Sequence, residues 1–212
     1  VDSFEKTLED TLKLQPDRLA VFSYAHVPWI KPAQKILQER MELPSPETKL
    51  ELLKLTIEKL TSEGYVYIGM DHFALPDDGL VKAANSGTLH RNFMGYATHQ
   101  AEDMLSFGVT SISEIAGAFA QNVKQLNQYR EHLDAGRLPV ERGMRRSKDD
   151  EQRRAIILDL MCRFRLEFAD HGGAEMFHRV YSGALSALAP FAADGLIERG
   201  DASRRGTPLG RA

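Results

Sequence analysis

Two short segments hold the most chemically capable side chains: Tyr24-Ala25-His26-Val27-Pro28 and Met70-Asp71-His72-Phe73-Ala74. His26 and His72 each sit just past a predicted strand, and the ends of strands are where α/β proteins gather ligand-binding groups. Imidazole can act there as acid, base or metal ligand. Asp71 directly precedes His72 and could orient its ring, although adjacent side chains on an extended chain point apart. Loop histidines bonded to backbone are the commoner outcome at such positions. His26, His72 and His90 would suit a metal by type, yet no close ligand spacing joins them. The single cysteine, Cys162, lies on an apolar helix face, where a small core residue is expected rather than a nucleophile. One thiol excludes an internal disulfide, and excludes a cysteine-ligated zinc or iron–sulfur site built from this chain alone. The basic run Arg142–Lys148 is read as a solvated linker more than a phosphate contact, since acidic residues follow it directly.

These groups need a scaffold, and 212 residues suffice for one large domain or two small ones. With 16 Gly and 9 Pro, the composition is ordinary and rules out collagen-like and low-complexity classes. A net charge of −3 provides no overall positive field, so nucleic acid is not an expected partner. The first fourteen residues lack a basic region followed by an apolar run and read as helix rather than signal peptide. The weakly polar stretch 183–197 is broken by Pro190 and Asp194, so no membrane insertion is expected. Low cysteine use points to a reducing compartment, and a cytoplasmic location is expected.

Phe4, Leu8 and Leu12 predict a helix over 3–14, stopped by Pro16, and residues 18–24 read as a buried strand. Lys35–Met41 can form a short helix. Ser45 as N-cap and Pro46 at the first helical position open a stronger one, with Leu50, Leu53, Ile57 and Leu60 on one face and Gly64 at its end. Tyr65–Met70 reads as the next strand, so strand, helix and strand predict a βαβ unit with parallel neighbours. A helix near 77–85, an irregular segment at 89–98, a β-prone stretch at 104–115 and a helix through Val123, Leu126, Tyr129 and Leu133 follow. Ser147 with Asp149, Asp150 and Glu151 marks a helix start. Ile156, Leu160, Phe164 and Phe168 line that helix, residues 174–191 read as a second, and 195–210 as a two-strand wing. The division expected is 1–147 and 148–212.

Taken together, the loops resemble one family. The carrying residues are Tyr24–Pro28, Leu43-Pro44-Ser45-Pro46, Gly69–Ala74, Pro76-Asp77-Asp78, His90-Arg91-Asn92-Phe93-Met94-Gly95-Tyr96 and Gly108–Ser113. This is similar to oxygen-independent coproporphyrinogen III oxidase (coproporphyrinogen dehydrogenase), a radical S-adenosylmethionine enzyme of haem biosynthesis. Related haem chaperones carry a different residue set at these loops. The resemblance implies an α/β fold: the last βα units of a partial (β/α) barrel over 1–147, then a mostly helical, winged-helix-like C-terminal domain over 148–212. The family's CxxxCxxC cluster loop does not occur in this sequence, so the resemblance implies the C-terminal portion of the enzyme.

For the complete enzyme, the implied reaction converts two propionates of coproporphyrinogen III to vinyls, giving protoporphyrinogen IX. Its implied cofactors are S-adenosylmethionine and a 4Fe-4S cluster whose ligands lie outside this chain, and an electron donor is an implied partner. The fragment alone is expected to be inactive. Phe22, Ala25 and Ile112 match family positions that contact S-adenosylmethionine, and Phe93 one near a second S-adenosylmethionine, beside Met94 where many members have Gln. The substrate's four propionates call for fixed donors, and Arg91 is the first candidate because its fork can take a carboxylate in two hydrogen bonds. His72 and His90 come next. The alternative for Arg91 is an outward ion pair with Asp77 or Asp78. A winged-helix DNA reader is disfavoured because the helix over 174–191 lacks a basic face. A non-catalytic binding or haem-handling homologue is the other rival.

Overall fold

The computed structural model describes residues 1–41, 43–101 and 103–211, the side chain of Gln38 excepted. α1 (Asp2–Leu12) forms where Phe4, Leu8 and Leu12 share a face, and Leu8 is buried. β1 (Arg18–Ala20) is much shorter than the buried strand expected over 18–24, and beyond it Phe22 and Tyr24 are exposed. A turn of 3-10 helix at Pro32–Gln34 leads into α2 (Lys35–Arg40). α3 (Pro46–Ser62) starts as its sequence dictates, with Ser45 Oγ accepting from the Thr48 N–H at 3.2 Å. β2 (Val66–Gly69) and β3 (His72–Ala74) then form a hairpin.

β3 lies between β1 and β2 and runs antiparallel to both. The expected parallel pair therefore points in one direction but is not adjacent. The reason is local: Gly69 (φ +149°) and Met70 (φ +53°) reverse the chain at once, so the returning strand fills the gap beside β2. His72 consequently sits within a strand, not in a loop past one. Leu60, Tyr65 and Phe73 form the core beneath this sheet, with Leu12, Leu19 and Ile57 against them.

α4 (Gly79–Ser86) is capped by Asp78, whose Oδ1 accepts from the Leu80 N–H at 2.6 Å. The segment expected to be irregular is a hairpin of β4 (His90–Asn92) and β5 (Gly95–Ala97), turned by Asn92 Oδ1 accepting from the Met94 N–H at 2.8 Å. β6 (Ile112–Ile115) occupies the end of the β-prone stretch, and an isolated bridge joins Met104 to Glu114. β7 (Ala118–Asn122), α5 (Leu126–Asp134) and β8 (Val140–Arg145) follow, and the three strands make an antiparallel sheet in the order β6-β7-β8. The basic run expected as a linker is thus largely an edge strand. Its Arg146 is nearly buried because Glu114 (2.7 Å) and Glu151 (2.5 Å) neutralise it.

α6 (Lys148–Arg163) opens with a capping box in which Ser147 and Asp150 bond each other's backbone. It stops at Phe164, which takes φ +52°, so Phe164 and Phe168 lie beyond the helix they were expected to line. The intervening β9 (Arg165–Glu167) leaves because it pairs into a sheet. The helix expected over 174–191 is three short ones, α7 (Ala174–Val180), α8 (Ser182–Ala187) and α9 (Ala189–Ala193). Pro190, lacking an N–H, sits in the first turn of the last and cannot continue the one before it. β10 (Ile197–Arg199) and β11 (Ser203–Gly206) form the expected wing, completed by β9 in the order β10-β11-β9, and α10 (Pro208–Arg211) follows. Leu166, Phe168, Phe177 and Leu185 fill this part's core. α6 serves two cores, since Cys162 joins Ile68, Leu80 and Leu89 while Ile156 packs against the second group. Among the described residues the strands form separate small sheets and no closed barrel.

Candidate functional site

His72 stands at the centre of a chain of rings. Its Nδ1 lies 2.6 Å from Asp71 Oδ1, so the adjacent side chains expected to point apart meet. Asp71 occupies the turn rather than the strand, and strand alternation does not bind it. The imidazole is edge-on to Phe22 with centroids 6.3 Å apart, and to Tyr96 at 5.2 Å. Gly95 permits that approach, because a Cβ there would sit 3.3 Å from His72 Nε2. The Arg91 guanidinium lies over the Tyr96 ring, 4.7 Å from its centroid. Tyr96 Oη donates to the Met161 carbonyl at 2.9 Å and so ties the rings to α6. Burial pushes the Tyr96 phenol up to about 12, against the pull of the Arg91 charge.

Three clefts surround these rings. One of about 270 Å³ lies beside α3 and the segment after β1, with Phe22, Tyr24, His26 and Met70 on its wall. A second of about 500 Å³ opens between β4, β7 and α6, lined by Arg91, Phe93, Phe119, Met144 and Ile157 among others. There Phe93 meets Phe119 edge-on at 5.1 Å, and Glu114 is held by Arg146 (2.7 Å) and Arg154 (2.8 Å). A third of about 540 Å³ faces α6 and includes His90, His99, Glu151 and Arg154. His90 is buried, and burial first, then the Arg154 charge, hold its imidazole below the ordinary value.

The structure therefore joins Phe22, His72 and Arg91 through rings, while Phe93 shares the cleft of Arg91. Ala25 lies on the same segment as Phe22, its carbonyl accepting from Gln34 Nε2 at 3.0 Å. Met94 projects from the hairpin tip, 82% exposed. Ile112 sits on β6 opposite Gln121, and His90 faces α6, away from these rings. The surface pairing considered for Arg91 does not form at Asp78, which Arg18 holds at 2.6 Å. Tyr96 was named only among the residues that carry the resemblance, with no role of its own, and Phe119 was not named. Among the described residues no group of three or more His, Cys, Asp or Glu could hold a metal. Burial pushes the Cys162 thiol up to about 11, so these residues do not fit an iron–sulfur cluster. The apolar wall at Phe22 does fit the body of an organic cofactor.

No protein-family model matches the chain. The oxygen-independent coproporphyrinogen III oxidase of Synechocystis sp. is 45% identical over 215 residues, covering 99% of this chain and 46% of that protein. Its namesake from Thermostichus vulcanus is 46% identical over 217 residues, covering 100% of this chain and 66% of that protein. A solved structure described as "Coproporphyrinogen III oxidase (HemN) from Escherichia coli is a Radical SAM enzyme" matches with a TM-score of 0.87 and 42% identity, over 99% of this chain and 49% of that one. The chain thus spans about half the length of the Synechocystis relative and of that solved chain. Near-complete coverage at such identity, with the same fold, means that the chain belongs to the oxygen-independent coproporphyrinogen III oxidase family.

Proposed function

We propose that this chain is part of an oxygen-independent coproporphyrinogen III oxidase, in which two propionates of coproporphyrinogen III become vinyls. The observation that carries the reading is the agreement of sequence and fold over 99% of the chain. Phe22, Ala25 and Ile112 form the apolar contacts of S-adenosylmethionine, with Phe93 and Met94 beside a second molecule of it. Phe22 supports this, being 73% exposed with its ring edge-on to an imidazole that Asp71 holds in place. S-adenosylmethionine, when bound, supplies the radical chemistry. The chain's own share is to bind and orient the tetrapyrrole and to shield the reacting side chain from water. The Asp71 bond fixes the His72 tautomer, leaving Nε2 as the nitrogen available to a ligand. The 4Fe-4S cluster of such enzymes takes its ligands from outside the described residues, and an electron donor is a partner of the complete enzyme. The complete enzyme works on a free tetrapyrrole in the cytoplasm; no helix among the described residues is long and apolar enough to cross a membrane.

The test is a graft. This chain replaces the matching segment of the Escherichia coli enzyme, and anaerobic conversion of coproporphyrinogen III to protoporphyrinogen IX is followed. Conversion at a rate near that of the parent is expected. A graft that still cleaves S-adenosylmethionine but yields no vinyl product would overturn the reading.

A further inference from the structure

The cleft between β4, β7 and α6 carries a charge that its own walls leave unanswered. Its charged lining is Arg91, Arg146, Arg153 and Arg154 with Glu114 and Asp150. Glu114 is clamped between Arg146 and Arg154, and Arg146 also holds Glu151 at 2.5 Å. Arg153 pairs with Asp149 at 2.7 Å, and Asp150 is engaged by the Ser147 N–H at 2.8 Å. Arg91 makes no ion pair among the described residues, and its buried Nη1 has no hydrogen-bond partner there. The Tyr96 ring holds the guanidinium plane in position without satisfying its N–H groups. Leaving a charged donor unbonded is costly, so the arrangement is one that an incoming anion relieves. Apart from Asn92, the rest of the wall is apolar, with Phe93, Phe119, Met144, Ile157, Leu158 and Met161.

We propose that this cleft seats the tetrapyrrole and that Arg91 receives one of its propionates as a two-pronged ion pair. The inference rests on the oxidase reading above and adds a place and an anchor to it. A tetrapyrrole is an apolar body with carboxylates on its rim, and an apolar wall with one unneutralised fork is the complementary shape. The anchored carboxylate is one that survives the reaction. An ion pair stabilises a carboxylate in the ground state and so slows its loss as carbon dioxide, which suits a propionate that is kept.

The experiment uses coproporphyrin III, the fluorescent oxidised form of the substrate, and its tetramethyl ester, each titrated against the full chain. The wild-type chain is expected to bind the acid more tightly than the ester. Arg91→Gln is expected to weaken the acid about tenfold or more and to leave the ester unchanged. Arg91→Lys, keeping the charge without the fork, restores part of the loss. Added salt is expected to erode wild-type binding of the acid and to change Arg91→Gln little. Equal affinity of wild type and Arg91→Gln for the acid overturns the anchor. An ester that weakens in parallel with the acid makes Arg91 a support of the cleft and overturns it equally. A wild-type chain that binds neither porphyrin overturns the seat. Each failure leaves the oxidase reading to the graft, whose conversion of coproporphyrinogen III is measured independently. A graft that fails while Arg91-dependent binding persists overturns that reading alone.

Discussion

A thiol surrounded by Ile68, Leu80 and Leu89 is chemically quiet. Burial raises the Cys162 pKa to about 11, so at pH 8 only about one molecule in a thousand is thiolate. Slow reaction with a disulfide reagent until the chain unfolds is expected, and anaerobic reconstitution is expected to load no cubane cluster on this polypeptide. Prompt labelling, or four irons per chain, would refute this. His90 gives a second titration. Its folded pKa lies below the unfolded value of about 6.5, so below pH 6.5 the unfolded chain takes up a proton that buried His90 refuses. Stability is therefore full above pH 6.5 and declines as the pH falls toward the folded pKa. His90→Gln is expected to flatten that decline in urea titrations at pH 7.5 and 5.5, and an unaltered slope would reject the assignment. Cys162 was legible because its neighbours in sequence follow helical spacing. The Asp71–His72 bond was not, since it depends on a turn set by Gly69 and Met70.

Elements with caps were the easiest to read. Ser45-Pro46 starts α3 and Ser147 starts α6 as their side chains require, because a cap is a local bond between neighbours. The ends of elements depended on distant partners: α6 stops where β9 is drawn to β11, and β3 inserts between two strands that a βαβ pattern places side by side. Gly69 is where this insertion is most exposed to change. A Cβ there would lie 2.7 Å from both Tyr96 Oη and Phe164 Cζ, at a φ of +149° that side chains rarely adopt. Gly69→Ala is expected to cost roughly 1–3 kcal/mol in chemical denaturation, typical of overpacking. It is also expected to disturb the near-ultraviolet signal of Tyr96. A cost under about 0.5 kcal/mol would show that β2 and the rings are not in contact in solution.

Several of the largest apolar side chains among the described residues stand exposed. Phe22 is 73% exposed, Trp29 75%, Leu138 82% and Phe107 86%, and β1 is an edge strand with three residues paired on one side only. Concentration-dependent self-association is expected in light scattering. A monodisperse monomer across the micromolar range would contradict it. The general class was legible, since helices and a wing follow from periodicity and turn residues in order. The partition of strands into separate sheets was not, because three-residue strands such as β1, β3 and β4 carry too few side chains to declare a partner.

The inserted strand also sets a sequence of events in time. β2 and β3 meet across a short turn, a closure of microseconds, whereas β1 pairs Arg18 with Ala74 only after α2, α3 and β2 have been spanned. Of these three strands the one that comes first in sequence is therefore expected to be the last to join the other two. The bonds that record its arrival are Val21 N–H to the Asp71 carbonyl and Leu75 N–H to the Asp17 carbonyl. In pulse-labelled exchange those two amides are expected to gain protection after the β2–β3 ladder, and simultaneous protection would reject the order. Phe22, next after Val21, then takes its place beside His72 once β1 has joined that sheet.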